Sequence, residues 1–231
     1  MENGDWVKID FTGKVSATGE VFDVTSAEEA KKSGAFEPKR KYGPVLVIIG
    51  AGMVMPGVEH ELLAMKPGER RDFVVGPADA MGPRRPELIR VVPVSKFSKE
   101  KIAPYPGLWV NVDGRNAKVQ SVAGGRVRID FNHPLAGKEL SYSVAISEAV
   151  TGTARRAESL IDYYGLAGEV SVEGGRVEIK ADKKPGQFME KLIGETLKKW
   201  AGGVSEVAFS EGKKGAPEGE AAPVQNVQHK A

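Results

Sequence analysis

Between Pro44 and Gly82 the chain offers a single short helix set among strands, and this limits what its first half can build. The run "GPVLVIIG" is apolar, bounded by glycines and rich in β-branched residues, as a deeply buried strand requires. In "MPGVEHELLAM", Pro56 suits a first helical turn, and Val58, Leu62 and Met65 recur at the spacing of one helix face. "KPGE" breaks that pattern and "RRDFVVGP" returns to strand. Upstream, "WVKIDFTGKV" alternates Val7, Ile9 and Phe11 against Lys8 and Asp10, the period of a half-buried strand, before the turn "SATGE" leads into Val21 and Phe22. These strands are expected to open an antiparallel meander. "KELSYSVAISEAV", with Leu140, Tyr142, Val144 and Ile146 on one side, is expected to close the same sheet, and one helix can cover only one face of it.

From Pro83 to Phe131 the character changes. Prolines at 83, 86, 93, 104 and 106 interrupt apolar clusters such as "LIRVVPVSKF", which excludes a regular central strand there. "LWVNVDGRNAKVQSVAGGRVRIDFN" reads as two or three short strands turned at Asp113-Gly114 and Gly124-Gly125, dipeptides suited to tight hairpins. After Val150, "TARRAESLIDYYG" is a helix ending at Gly165 and "EVSVEGGRVEIKADKK" a hairpin about Gly174-Gly175. "GQFMEKLIGETLKKWAGG" is an amphipathic helix and "VSEVAFSE" a last strand. The expected α+β chain has four parts. Residues 1–85 with 132–149 form the main domain, 86–131 a small inserted β module, and 150–212 a C-terminal α-β-β-α-β domain. Residues 213–231, rich in Gly, Ala, Pro and charge, are expected to be disordered. The stripe Phe188, Leu192, Ile193, Leu197 and Trp200 is to be covered by its own hairpin or, failing that, by a second copy of the chain, so a homodimer is part of the expectation.

Lysine and arginine, 33 in all, nearly balance 31 aspartates and glutamates, so neither nucleic acid nor membrane is expected as a partner. No cysteine means no disulfide, thiolate nucleophile or thiolate metal site. The polar start "MENGDWVKID" lacks the apolar core of a signal peptide, and no run approaches the ~18 apolar residues of a membrane span, so a cytoplasmic protein is expected. His60, His133 and His229 lie far apart, and Gly50, Gly52 and Gly57 make neither a dinucleotide fingerprint nor a P-loop; no metal and no cofactor are expected. What remains is apolar, and one reaction needs shape and low polarity more than a nucleophile: rotation about an X-Pro peptide bond. Its barrier of about 18–20 kcal/mol arises from amide resonance, and no covalent bond breaks. The twisted amide is less charge-separated than the planar one. A pocket that strips water from the carbonyl and holds the proline ring therefore favours the twist.

The segments "VKIDFTGKVSATGEVFDVT", "GAGMVMPGVEHELLAMKPGERRDFVVGPADAMG" and "NHPLAGKELSYSVAI" closely resemble the FKBP-type peptidyl-prolyl cis-trans isomerases over residues 3–149. The long insertion resembles the SlyD-like, insert-in-flap branch, and the C-terminal part resembles the additional domain of long archaeal members. The resemblance implies a half-open antiparallel sheet wrapped on one short helix, the FKBP fold, with the proline pocket between them. It implies catalytic contacts from Phe22, Asp23, Val54, Met55, Met81 and Tyr142. Substrate contacts would come from Phe11, Val45, Val58 and, on a returning flap, Leu135. Two positions depart from the family pattern: Phe11 and Met81 stand where tyrosines are usual, and each lost neutral hydrogen bond is worth about 0.5–1.5 kcal/mol. The resemblance further implies peptidyl-prolyl isomerisation in unfolded or nascent polypeptides, with a chaperone insert that holds them. In that insert Leu88, Ile89, Val91, Val92, Val94 and Phe97 either form an apolar patch for extended clients or pack into the module's own core. The alternative is a holdase whose prolyl pocket is weakly active or inactive. With only His229 in its tail, the chain does not share the histidine-rich metal-binding end of many bacterial members.

Overall fold

A computed structural model describes residues 1–98 and 101–212. In chain order its elements are β1 (Trp6–Val15), β2 (Val21–Val24), α1 (Ala27–Ser33), β3 (Val45–Ile48), α2 (Pro56–Ala64), β4 (Arg70–Val75), β5 (Ile89–Pro93), α3 (Ser95–Ser98) and β6 (Trp109–Val112). These are followed by β7 (Arg115–Ala123), β8 (Arg126–Asp130), β9 (Leu140–Ala149), α4 (Thr153–Tyr163), β10 (Gly168–Glu173), β11 (Arg176–Ala181), α5 (Gln187–Trp200) and β12 (Glu206–Glu211). The tail expected to be disordered, with His229, lies outside the described residues. The chain forms two compact units: Met1–Gly76 with the described residues from Glu139 onward, and Pro77–Lys138. No helix among the described residues is long and apolar enough to cross a membrane.

The first unit is built on a five-stranded sheet of order β2-β1-β9-β4, with β3 also paired to β1. Ten-residue β1 is long enough to pair with β3 through Trp6–Ile9 and with β2 through Thr12–Lys14 along one edge, while β9 runs along the other. The strands therefore do not form a sequential meander. β9 does not close the sheet as expected but lies inside it, between β1 and β4, because its alternating residues can hydrogen-bond on both edges while Leu140, Tyr142, Val144 and Ile146 bury one face. A further short helix, α1, stands between β2 and β3. Ser26 Oγ caps it by accepting from Glu29 N, and Gly34 ends it with a φ of +75°.

β3 is apolar throughout because both its faces are covered. Val45 and Val47 stand across from Ile9 and Val7, whereas Leu46 and Ile48 stand across from Lys8 and Trp6 on the opposite face. On that second face Trp6, Leu46 and Ile48 join one core with Leu160 of α4, Ile179 of β11 and Leu197 of α5. Trp6, 2% exposed, donates from Nε1 to the Trp200 carbonyl at 3.0 Å. Arg156 lies over the Trp6 ring and donates to the Ala201 carbonyl at 2.9 Å. The C-terminal elements thus share a core with the first sheet rather than closing on themselves alone. Their own sheet has the order β10-β11-β12, with β12 parallel to β11. Of the α5 stripe, Ile193 and Leu197 are buried within the chain and Phe188 is 79% exposed.

The second unit is a four-stranded antiparallel sheet of order β5-β8-β7-β6. Its hairpins turn at Asp113-Gly114 and Gly124-Gly125, all four residues having positive φ. β5 is an edge strand ending at Pro93, where no ladder donor is missed. The unit extends beyond the expected limits of 86 and 131 because the entering and leaving segments are tied together. Gly137 N donates to Gly82 O at 2.8 Å and Arg85 N to Asn132 Oδ1 at 2.8 Å, while Asn132 Nδ2 donates back to Arg85 O at 2.9 Å.

Of the residues left open between meeting clients and packing into the module, three belong to the core of this unit. Phe97, 2% exposed, is buried among Val110, Val119, Val127 and Ile129, and Val92 and Val94 pack against that cluster. The period-two alternation of β5 decides this: Val92 stands across from buried Val127, so its neighbour Val91 faces the other way and is 61% exposed. Ile89, the first residue of the same strand, and Leu88, in the 3-10 turn just before it, are half-buried.

Candidate active site

Strand register assembles the site. Gly13 of β1 stands across from Asp23 of β2 on one side and Tyr142 of β9 on the other, and Phe73 of β4 stands across from Tyr142 on its far side. Gly13 has to be glycine for steric reasons, since a Cβ there would lie 2.5 Å from Phe22 Cζ and 3.1 Å from Tyr142 Cε1. In the space it leaves, the Phe22 and Tyr142 rings meet edge to face at 5.7 Å between centroids and 81°. Phe73 stacks on Tyr142 at 5.9 Å and 17°, and Phe11 approaches it at 6.2 Å and 50°. Each such pair contributes about 0.5–1.5 kcal/mol beyond the area it buries, which holds four rings in one arrangement without a covalent tie.

The Tyr142 hydroxyl donates to Met55 Sδ at 3.6 Å, which links β9 to the N-cap of α2. Burial, and to a lesser degree the Asp23 carboxylate, push the Tyr142 hydroxyl well above the ordinary tyrosine range. The phenol is therefore a protonated donor at neutral pH.

Asp23 supplies the polar edge. Its Oδ1 accepts from Val24 N at 2.8 Å and from Arg40 Nη2 at 2.6 Å, and its side chain is only 12% exposed. Arg40 is delivered by the segment between α1 and β3. There its guanidinium lies over the Tyr42 ring at 5.3 Å, Tyr42 stacks on Phe36 at 5.4 Å and 10°, and Lys31 lies over Phe36 at 5.0 Å. Phe11 brings no hydroxyl to this carboxylate, and Arg40 is the side-chain donor that meets it.

The structure brings Phe11, Phe22, Asp23, Met55 and Tyr142 together. Val54 is half-buried just before Met55, Val58 is buried in the first turn of α2, and Val45 is half-buried across from Ile9. Met81 and Leu135 belong to the second unit. There Met81 is half-buried beyond a 3-10 turn, and Leu135 is buried in a turn where its N–H donates to His133 Nδ1 at 3.2 Å. Gly13, Phe73 and Arg40 also shape the site. Phe73 was legible from the alternation in "RRDFVV", whereas nothing local in the sequence marks Gly13 or Arg40. Among the described residues no group of His, Asp and Glu is arranged to hold a metal ion.

Four aromatic rings, a thioether and one shielded carboxylate are thus gathered between β1, β2, β4, β9 and the start of α2. The model of the FKBP-type peptidyl-prolyl cis-trans isomerase family matches residues 1–94, and one described as the IF domain of FKBP26 matches residues 90–135. A short-type peptidyl-prolyl cis-trans isomerase of Methanocaldococcus jannaschii is 32% identical over 148 residues, which cover 64% of this chain and 93% of that protein. A probable FKBP-type 16 kDa peptidyl-prolyl cis-trans isomerase of Pseudomonas fluorescens is 34% identical over 108 residues, 45% of this chain and 71% of the relative. The SlyD isomerase of Helicobacter pylori is 28% identical over 102 residues, 43% and 55% of the two chains. The chain belongs to the FKBP-type peptidyl-prolyl cis-trans isomerases.

Proposed function

We propose that this isomerase turns X-Pro bonds of unfolded or nascent polypeptides in the aromatic site between β1, β9 and the start of α2, without a cofactor, while residues 77–138 hold the client chain. The observation that carries the reading is the convergence of Phe11, Phe22, Phe73 and Tyr142 beside Met55 and Asp23. A proline ring seated among those rings loses water from its amide. The planar, more charge-separated amide is then disfavoured relative to the twisted one, which lowers the rotational barrier. Val54, Met55 and Val58 at the head of α2 line the approach, and Met81 and Leu135 are assigned to the client-facing side. Two tethered sites on one chain raise the effective concentration of a client at the second once the first has bound.

Phe11 and Met81 favour a second reading, a holdase with little turnover, because both tyrosine hydroxyls usual in the family are missing. Refolding of a client whose slow phase is limited by proline separates the two. Acceleration by the full-length protein at catalytic amounts supports the isomerase; suppression of aggregation at stoichiometric amounts only, with the slow phase unchanged, supports the holdase.

A further inference from the structure

The near-neutral charge of the whole chain hides a division. Residues 77–138 carry eleven Lys and Arg against five Asp and Glu, a net charge of +6, which leaves 22 against 26 and a net −4 for the rest. Two of the five acids are already engaged, Asp113 by Lys96 and Asp130 by Arg84. The register of the second sheet then separates its faces. Val127 and Ile129 of β8 point to the core, while Arg126 and Arg128 point to the opposite face. Arg128 stands across from Val91 and Ser121, and Lys118 across from Trp109. Lys118, Arg126 and Arg128 form no ion pair among the described residues. Val91 and Trp109 beside them are 61% and 49% exposed.

We infer that this open sheet face binds extended segments of unfolded polypeptide in which acidic and apolar residues are interspersed, selecting them by charge. The inference rests on the proposed role of residues 77–138 in holding clients and names the class of client. A strand presents successive side chains on one face about 6.6–7 Å apart, so Arg126 and Arg128 match the spacing of two acids on one side of an extended peptide. Val91 on edge strand β5 and Trp109 on edge strand β6 supply apolar contacts on either side of the cations of β8 and β7. RNA fits less well: stacking platforms need successive open rings, and the face carries one indole, with Lys118 Nζ 6.0 Å from its centroid. The acidic remainder of the chain confines the attraction to this unit, and complementary charge raises the encounter rate as well as selectivity.

The test uses the full-length protein and labelled disordered peptides of one apolar pattern whose polar positions are acidic, neutral amide or basic, with fluorescence anisotropy as the readout. The acidic peptide is expected to bind about tenfold more tightly than the basic one, and its advantage to shrink as NaCl rises from about 0.05 M to about 0.5 M. The triple variant Lys118→Glu, Arg126→Glu, Arg128→Glu is expected to reverse that order, and the milder Lys118→Gln, Arg126→Gln, Arg128→Gln to level it. Isomerisation of a short X-Pro peptide should be unchanged in both variants. Equal affinity for all three peptides, or a preference untouched by the variants, overturns the charge inference and leaves client holding intact. Binding of none of them overturns both, and tighter binding of oligouridylate than of the acidic peptide assigns the face to RNA.

Discussion

Arg40 Nη2 lies 2.6 Å from Asp23 Oδ1, a pairing across 17 residues of sequence that gives the most shielded carboxylate of the site its counter-charge. Arg40→Ala leaves that oxygen with the Val24 N–H alone, and stranding one partner of such a pair costs about 1–3 kcal/mol. Lower thermal stability and a severalfold fall in kcat/KM on an X-Pro peptide are expected, with partial recovery in Arg40→Lys. An Arg40→Ala protein with wild-type values of both would remove Arg40 from the site.

Gly13→Ala places a methyl group 2.5 Å from Phe22 Cζ, so the ring must leave its edge-to-face seat against Tyr142. Overpacking of this kind costs about 1–3 kcal/mol. Because the displaced ring is a wall of the site, kcat/KM should drop by more than the loss of stability accounts for. Aromatic ring signals in NMR spectra and peptide kinetics on the same sample check this.

Met81→Tyr restores the side chain usual in the family at its position. If a missing donor limits turnover, one neutral hydrogen bond predicts a gain in kcat/KM of about two- to tenfold. Unchanged kinetics would leave the apolar walls responsible for the rate, and the same comparison applies to Phe11→Tyr beside Asp23.

Burial lowers the pKa of His133, and its Nδ1 accepts from Leu135 N at 3.2 Å, a bond the protonated ring cannot accept. The unfolded chain takes up the proton first, near pH 6.5, so stability from the neutral ring is complete above that value. It is lost as pH falls from there toward the lower folded pKa, below which it no longer changes. The protection factors of the amides of His133 and residues 135–138, each rate taken relative to its intrinsic rate at the same pH, should therefore fall as pH drops from about 7.5 to about 5.5, and His133→Asn should flatten that profile.

Removal of everything after Val150 uncovers Trp6, Leu46 and Ile48 on the outer face of β1 and β3. Each fully buried side chain of this size contributes about 1.5–3 kcal/mol. The truncated protein should melt at a clearly lower temperature and bind a hydrophobic dye, whereas wild-type stability after truncation would show that the shared core is dispensable.

The period of two in β1, β4 and β9, the helix spacing of Val58 and Leu62, and the glycine hairpins of the insert are legible in the sequence because each depends on neighbours along the chain. The resemblance to the family grouped Phe22, Asp23, Met55 and Tyr142, and the fold brings those side chains next to one another. The place of Phe97, client patch or module core, stayed open in the sequence because apolar character alone does not say which face of a small sheet is inside. Arg40 was invisible because no local pattern distinguishes a surface cation from one folded back over Tyr42 onto a carboxylate.

By strand alternation Trp6 lies on the same side of β1 as Lys8 and Asp10, yet it is buried against α5 with its indole N–H on the Trp200 carbonyl. Sequence determines the strands, turns and helices because those follow from short-range periodicity and backbone preference. The tertiary structure alone decided that β3 would be covered on both faces, that β9 would lie inside the sheet, and that Arg40 would fold back onto Asp23. Those outcomes depend on which distant segments share a core, and the free energy of burial belongs to the assembled elements rather than to any one stretch of chain.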